Sequence, residues 1–356
     1  MAVPCLVLEV KIDYKPNGRT AVKVALHPFE MNSPGDALSL RRALRRLPLD
    51  EVRQLAVVAK VEGTATLNDV SRELASERIR AELDRAGGPA LVRRTLEILS
   101  VGCEGIITPG GWVLASLKDS LRPRAKPAGV GLALGHARSA PIAMEERATL
   151  RHIRIAAKTV REAMGKARLD AGTTGLVLIK SPILLSGAGR HVGSTAASRG
   201  AAALGAAIAL GELRDTDIDP DSLCADWSLH GTRAMSFSGT ETDCCEALVL
   251  GNRPGGDARL RVERAVLSDL LDAAPLASLA EGARAVFYKA GIARDGTLRG
   301  RRTTVLSSEL AADKQLRAAA GGVVGAALGT TRAFISGGAE HQVAPGGCLA
   351  AVIRAR

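Results

Sequence analysis

Short apolar runs that end abruptly in a lysine set the pattern of this chain. Leu55-Ala-Val-Val-Ala is closed by Lys60, Gly175-Leu-Val-Leu-Ile by Lys180, and Ala285-Val-Phe-Tyr by Lys289. Runs of this length predict buried strands. Cys5 to Val10, Ala247 to Leu250, Arg332 to Ile335 and Cys348 to Ile353 read as further strands. Helical spacing alternates with them. Asp36 caps a helix starting near Ala37, and Asn68-Asp69 caps another with Arg72 in its first turn. Residues 78 to 95 continue as helix, and 144 to 167 place Ile153, Ala157, Val160, Met164 and Ala167 on one face. Ser198 to Glu212 is a small-residue helix with Arg199 at its start. Leu260 to Leu271, the region near Leu276, and 310 to 328 with Arg317 complete the helical segments.

Breaks at Arg122-Pro-Arg-Ala-Lys-Pro-Ala-Gly129 and Gly251-Asn-Arg-Pro-Gly-Gly256 divide the pattern into segments 1–125, 126–252 and 253–356. Each supplies a strand-end lysine, an arginine on a following helix, and a serine in a glycine-containing turn. The sets are Lys60, Arg72, Ser100; Lys180, Arg199, Ser238; and Lys289, Arg317, Ser336. Their spacings differ, so the pattern is a divergent triplication of one α/β unit and not a solenoid period.

Composition narrows the function. A chain of 356 residues, 46% hydrophobic, can bury several cores, and charged residues interrupt every apolar run before membrane-spanning length. The first residues lack the charged start and long apolar centre of a signal peptide, so a cytoplasmic location with no membrane partner is expected. Six cysteines are scattered without zinc or disulfide-scaffold spacing, and the six histidines form no His-Glu-x-x-His pair. The net charge of +11 fits an anionic substrate or a basic surface. Dispersed arginines and only 2% aromatic residues weigh against nucleic acid.

The recurring pair carries the chemistry. A buried lysine loses solvation and becomes a base near neutral pH, able to activate a serine. A single strand-end lysine is ordinarily a solvated cap and Ser-Gly an ordinary turn; the threefold recurrence separates this chain from that reading. Three such pairs suit a small ring with three carbonyl-like groups, one serine attacking while the others hold and polarise the ring.

Several motifs then resemble the cyanuric acid amidohydrolase and barbiturase family of ring-opening amidohydrolases. They are Ser33-Pro-Gly-Asp36, Lys60-Val-Glu-Gly63, Lys180-Ser-Pro-Ile-Leu-Leu185, Ser198-Arg-Gly-Ala, Val249-Leu-Gly-Asn252, Gly300-Arg-Arg302 and, most specifically, Ser336-Gly-Gly-Ala-Glu-His-Gln342. The resemblance implies three similar α/β domains about a pseudo-threefold axis, a site at their junction, and commonly a homotetramer. It implies opening of cyanuric acid to carboxybiuret, which gives biuret and carbon dioxide. Barbiturate opened to ureidomalonate, another cyclic imide, or a non-catalytic ring-binding protein are the alternatives.

By motif, Lys180 matches the general base and Ser238 the nucleophile, with Ser236 the fallback. Arg72, Arg199 and Arg317 match ring-binding arginines, beside Lys60 and Lys289. Ser100 with Val101, Gly239, and Ser336 with Gly337 match ring-oxygen contacts. No cofactor is implied for catalysis. A structural Mg or Ca site implied by the family would draw on Ala339, Gln342, Val343, Ala344 and Gly347, but its acidic ligand after Lys289 is replaced here by Ala290-Gly291. Val101, Cys103 and Gly110 depart from the family pattern beside the ring.

Overall fold

The computed structural model describes residues 23–118, 129–187 and 190–356. The expected strand Cys5 to Val10 and most of the expected break at 122–129 lie outside them. The first unit contains β1 (Val24–Glu30), α1 (Leu38–Arg45), β2 (Val52–Val61), α2 (Ser71–Arg94), β3 (Thr95–Val101) and β4 (Gly110–Leu117). The second contains β5 (Val130–Arg138), α3 (Leu150–Ala167), β6 (Thr174–Pro182), α4 (Thr195–Ala209), β7 (Ala234–Gly239) and β8 (Glu246–Pro254). The third contains β9 (Leu260–Leu267), α5 (Ala273–Ala277), β10 (Ala283–Ala290), a small ribbon β11 (Thr297–Leu298) and β12 (Arg301–Arg302), α6 (Ala312–Leu328), β13 (Phe334–Gly337) and β14 (Cys348–Ala355).

Each unit builds one four-stranded sheet, and the strand orders are the same: β1-β4-β2-β3, β5-β8-β6-β7 and β9-β14-β10-β13. The two inner-numbered strands pair in parallel in every case, β2 with β3, β6 with β7 and β10 with β13. The remaining ladders are antiparallel. The protein is thus three similar α/β domains about a pseudo-threefold axis.

Both faces of each sheet are buried, which explains the near-continuous apolar runs. One face of all three sheets meets in a shared centre that includes Ala56, Val58, Leu96, Ile98, Leu176, Leu178, Met235, Phe237, Ala285, Phe287 and Phe334. The alternate residues face the unit's own helices: Leu55, Val57 and Leu99 in the first, Val177, Ile179 and Ala234 in the second, Val286, Tyr288 and Ile335 in the third. Helices therefore lie outside and the sheets inside.

Some expected elements differ. Leu260 to Leu267 is strand, not helix, because its charged residues decorate an outer strand hydrogen-bonded along its length to β14. The break read from Gly251 onward is shorter, since β8 runs to Pro254 and Asn252 is locked to Val262 by two hydrogen bonds of 2.7 and 3.0 Å. Gly255, at φ +74, makes the turn that no side chain adopts easily. Among the described residues no helix is long and apolar enough to cross a membrane.

Candidate functional site

Strand parity decides what reaches the axis. Side chains alternate between faces, so residues two apart share one. On the central face, Ala56 and Val58 lead to Lys60, Leu176 and Leu178 to Lys180, and Ala285 and Phe287 to Lys289. All three lysines are at most 1% exposed. On the neighbouring parallel strands the same face carries Ile98 then Ser100, Met235 then Phe237, and Phe334 then Ser336. The ladders agree: Lys60 pairs with Ser100, Lys289 with Ser336, and Lys180 with Phe237.

Two of the three lysines consequently meet a serine hydroxyl. Lys60 Nζ lies 3.1 Å from Ser100 Oγ and 2.9 Å from the Val101 carbonyl oxygen. Lys289 Nζ lies 3.1 Å from Ser336 Oγ and donates to the Ser236 carbonyl at 2.8 Å. Lys180 differs. Its Nζ donates to the carbonyls of Leu99 and Ser238 at 2.7 and 3.0 Å and pairs with Glu241 Oε1 at 2.6 Å. The expected Lys180–Ser238 pair therefore meets through backbone and not through the hydroxyl. Ser238 is one residue past the central-facing position, so its side chain belongs to the opposite face. Ser236, the fallback, shares that opposite face; it is fully buried and donates from Oγ to the Arg199 carbonyl at 2.7 Å.

The three arginines also arrive, each held by a glutamate of the next unit in cyclic order. Arg72 on α2 lies 3.0 Å from Glu241, Arg199 on α4 grips Glu340 at 2.9 and 2.7 Å, and Arg317 on α6 grips Glu104 at 2.7 and 2.6 Å. Each glutamate lies four residues after the central-facing position, at Ser100, Phe237 and Ser336. The last two pairs are bidentate, the strong geometry for guanidinium and carboxylate. Arg72 makes only one close contact to its glutamate because Lys180 takes the other oxygen. These glutamates had no role in the sequence reading, although their shared spacing was visible there.

Electrostatics follows from burial. Desolvation lowers Lys60 to about 7, with Arg317 adding to the fall and Glu104 opposing it. Desolvation lowers Lys180 to about 8 against the pull of Glu241. Lys289 falls well below its ordinary value, again from desolvation first and then Arg199. All three are stronger candidates for proton acceptors than a solvated lysine.

Glycines keep the loops open beside these groups. A Cβ at Gly102, where φ is +97, would come within 2.7 Å of Glu104 Oε2, and one at Gly239 within 2.6 Å of Lys180 Cε. A Cβ at Gly337 would likewise stand 2.9 Å from the Asp313 carbonyl oxygen.

The loop Ala339 to Gly347 does not suit a hard divalent cation. Its carboxylate, Glu340, is held by Arg199, and Gln342 Oε1 accepts from the Ser236 amide at 2.8 Å. Ala339 and Val343 pack their side chains in the central core, the Ala339 and Ala344 carbonyls already accept from the Gln342 and Gly347 amides at 3.0 and 2.9 Å, and none of the five expected residues carries a carboxylate.

The fold and this lysine, arginine and serine set define a ring-opening amidohydrolase. Residues 25–355 match the family described as amidohydrolase ring-opening protein, and the chain belongs to that family. It is similar to a cyanuric acid amidohydrolase of Methylobacterium sp. (strain 4-46), 33% identical over 92% of this chain and 95% of that protein. It is 32% identical to a cyclic amide hydrolase of Azorhizobium caulinodans over 94% of this chain and 100% of the relative. The crystal structure of a cyanuric acid hydrolase from A. caulinodans superposes with a TM-score of 0.85 at 30% identity, covering 94% of this chain and 99% of that one.

Proposed function

We propose that this protein hydrolyses one carbon–nitrogen bond of a six-membered cyclic imide, with Ser100 as nucleophile and Lys60 as its base. The 3.1 Å contact between Lys60 Nζ and Ser100 Oγ carries this reading. Lys60, held at about 7 by burial, is partly neutral near neutral pH yet still basic enough to keep a proton. Lys289 and Ser336 form a second such pair at the same 3.1 Å, and in this reading Ser336 holds a ring oxygen.

In the reaction, Ser100 Oγ adds to a ring carbonyl carbon and its proton passes to Lys60 Nζ. The carbon–nitrogen bond then breaks and the departing ring nitrogen takes that proton back. Water, deprotonated by the same lysine, attacks the resulting serine ester and releases the opened acid with the serine restored. Arg72, Arg199 and Arg317 surround the ring and favour its anionic form. The relatives' names make cyanuric acid the first ring to try, and barbituric acid, the alternative the sequence motifs leave open, is the second.

The test follows ring absorbance with the wild type, Ser100→Ala and Ser238→Ala. Ser100→Ala should lose roughly a hundredfold or more in kcat, while Ser238→Ala stays within a few-fold. The reverse ranking would return the nucleophile to Ser238 and discard the assignment to Ser100.

A further inference from the structure

Phe237 stands where the other two units place Ser100 and Ser336. Three independent features fix that correspondence. Phe237 is the ladder partner of Lys180, as Ser100 is of Lys60 and Ser336 of Lys289. It continues the central face after Met235, as Ser100 follows Ile98 and Ser336 follows Phe334. It precedes its glutamate by four residues, as both serines do. The nearby hydroxyls do not substitute for the missing one, because Ser236 and Ser238 belong to the other face and Ser236 Oγ is bound to the Arg199 carbonyl.

The benzyl group is also fixed in place. Phe237 is 2% exposed, meets Phe334 edge to face at 4.9 Å between ring centres, and lies 5.0 Å from Lys289 Nζ. A site with threefold pseudo-symmetry thus has two hydroxyl positions and one apolar position.

We infer that Phe237 sets the substrate class: the bound ring turns carbonyls towards Ser100 and Ser336 and a carbon bearing no hydrogen-bonding group towards Phe237. This rests on the cyclic-imide reading above and narrows it. A six-membered ring with carbonyls at two alternate positions and a methylene at the third meets the requirement. Cyanuric acid, with carbonyls at all three, would lose the solvation of one oxygen against an apolar wall without gaining a hydroxyl in return.

Calorimetric binding of 5,6-dihydrouracil, glutarimide and cyanuric acid tests this apart from turnover. The wild type should bind the better two-carbonyl ring at least roughly tenfold more tightly than cyanuric acid, and Phe237→Ser should move that ratio towards cyanuric acid by roughly tenfold to a hundredfold. Phe237→Leu, which keeps the position apolar, should leave the ratio within a few-fold of wild type and guards against a serine variant that fails to fold. Tighter binding of cyanuric acid by the wild type, a ratio unchanged in Phe237→Ser, or no binding of any ring overturns the inference. Binding with the expected ratio but without turnover upholds it and overturns only the hydrolytic reading.

Discussion

Glu104 belongs to the first unit, yet Arg317 of the third holds both of its carboxylate oxygens, at 2.6 and 2.7 Å. The pair stands beside Lys60, whose proton affinity it adjusts: the arginine lowers it and the glutamate raises it. Glu104→Gln leaves the arginine's charge unopposed, so Lys60 falls further. Because the base must be unprotonated, activity rises with pH through the Lys60 pKa of about 7. The variant should shift that acid limb of kcat/KM to lower pH by about one unit. A limb that stays in place, or moves up, would remove Lys60 from the role of base.

Arg199 is a stability determinant as well as a candidate ring ligand. Its side chain is 8% exposed and serves both Glu340 and, at 3.5 Å, Asp313. Arg199→Ala strands the Glu340 carboxylate, 11% exposed, in the interior, which should cost about 3–5 kcal/mol in urea unfolding. Glu340→Ala added to it should recover part of the loss. A single-variant cost below ~1 kcal/mol would mean that water reaches the carboxylate freely.

Acid sensitivity is expected from His152. The ring is fully buried, accepts from the Ala148 amide at 3.0 Å and meets Ser181 Oγ at 2.9 Å. Burial holds it down to about 4 from an ordinary 6.5, with Arg147 adding to the fall. The unfolded chain therefore binds the proton first, and stability should decline as pH falls from 6.5 to about 4, by on the order of 3 kcal/mol for this group. Unfolding midpoints measured across that window should fall less steeply in His152→Gln.

Gly205 lies mid-helix, where alanine is ordinarily better by about 1 kcal/mol. Here the sign reverses, because a Cβ would strike the Ile153 carbonyl and stand 2.6 Å from the Ala156 Cβ on α3. Gly205→Ala should destabilise the second unit by about 1–3 kcal/mol. A raised Tm would show that α3 and α4 separate without penalty.

Much of this was readable from residue order, and the remainder has identifiable physical causes. The apolar runs closed by Lys60, Lys180 and Lys289 fall within β2, β6 and β10, since a strand buried on both faces writes a continuous apolar word. Arg72, Arg199 and Arg317 were legible from their helices. The face that Ser238 occupies is not legible in the sequence, because its glycine-containing segment reads as a turn, whereas Ala234–Gly239 is a strand. Treating it as a turn hid its parity, and one residue of register exchanges the two faces of a sheet. The glutamates share a spacing that the sequence displays, but Glu104 and Arg317 are 213 residues apart, so nothing local identifies the partner. In Leu260 to Leu267, charge density masked an outer strand whose pairing, not its composition, holds it straight.

The central position filled by Ser100, Phe237 and Ser336 carries one more consequence. In a homotrimer built from separate identical chains, any substitution there would appear three times, so gaining a phenylalanine would mean forfeiting every hydroxyl at once. Joining the units in one polypeptide releases that constraint. A single codon can differ while its two counterparts are retained, and a site of trigonal pseudo-symmetry becomes free to distinguish the edges of an unsymmetrical ring.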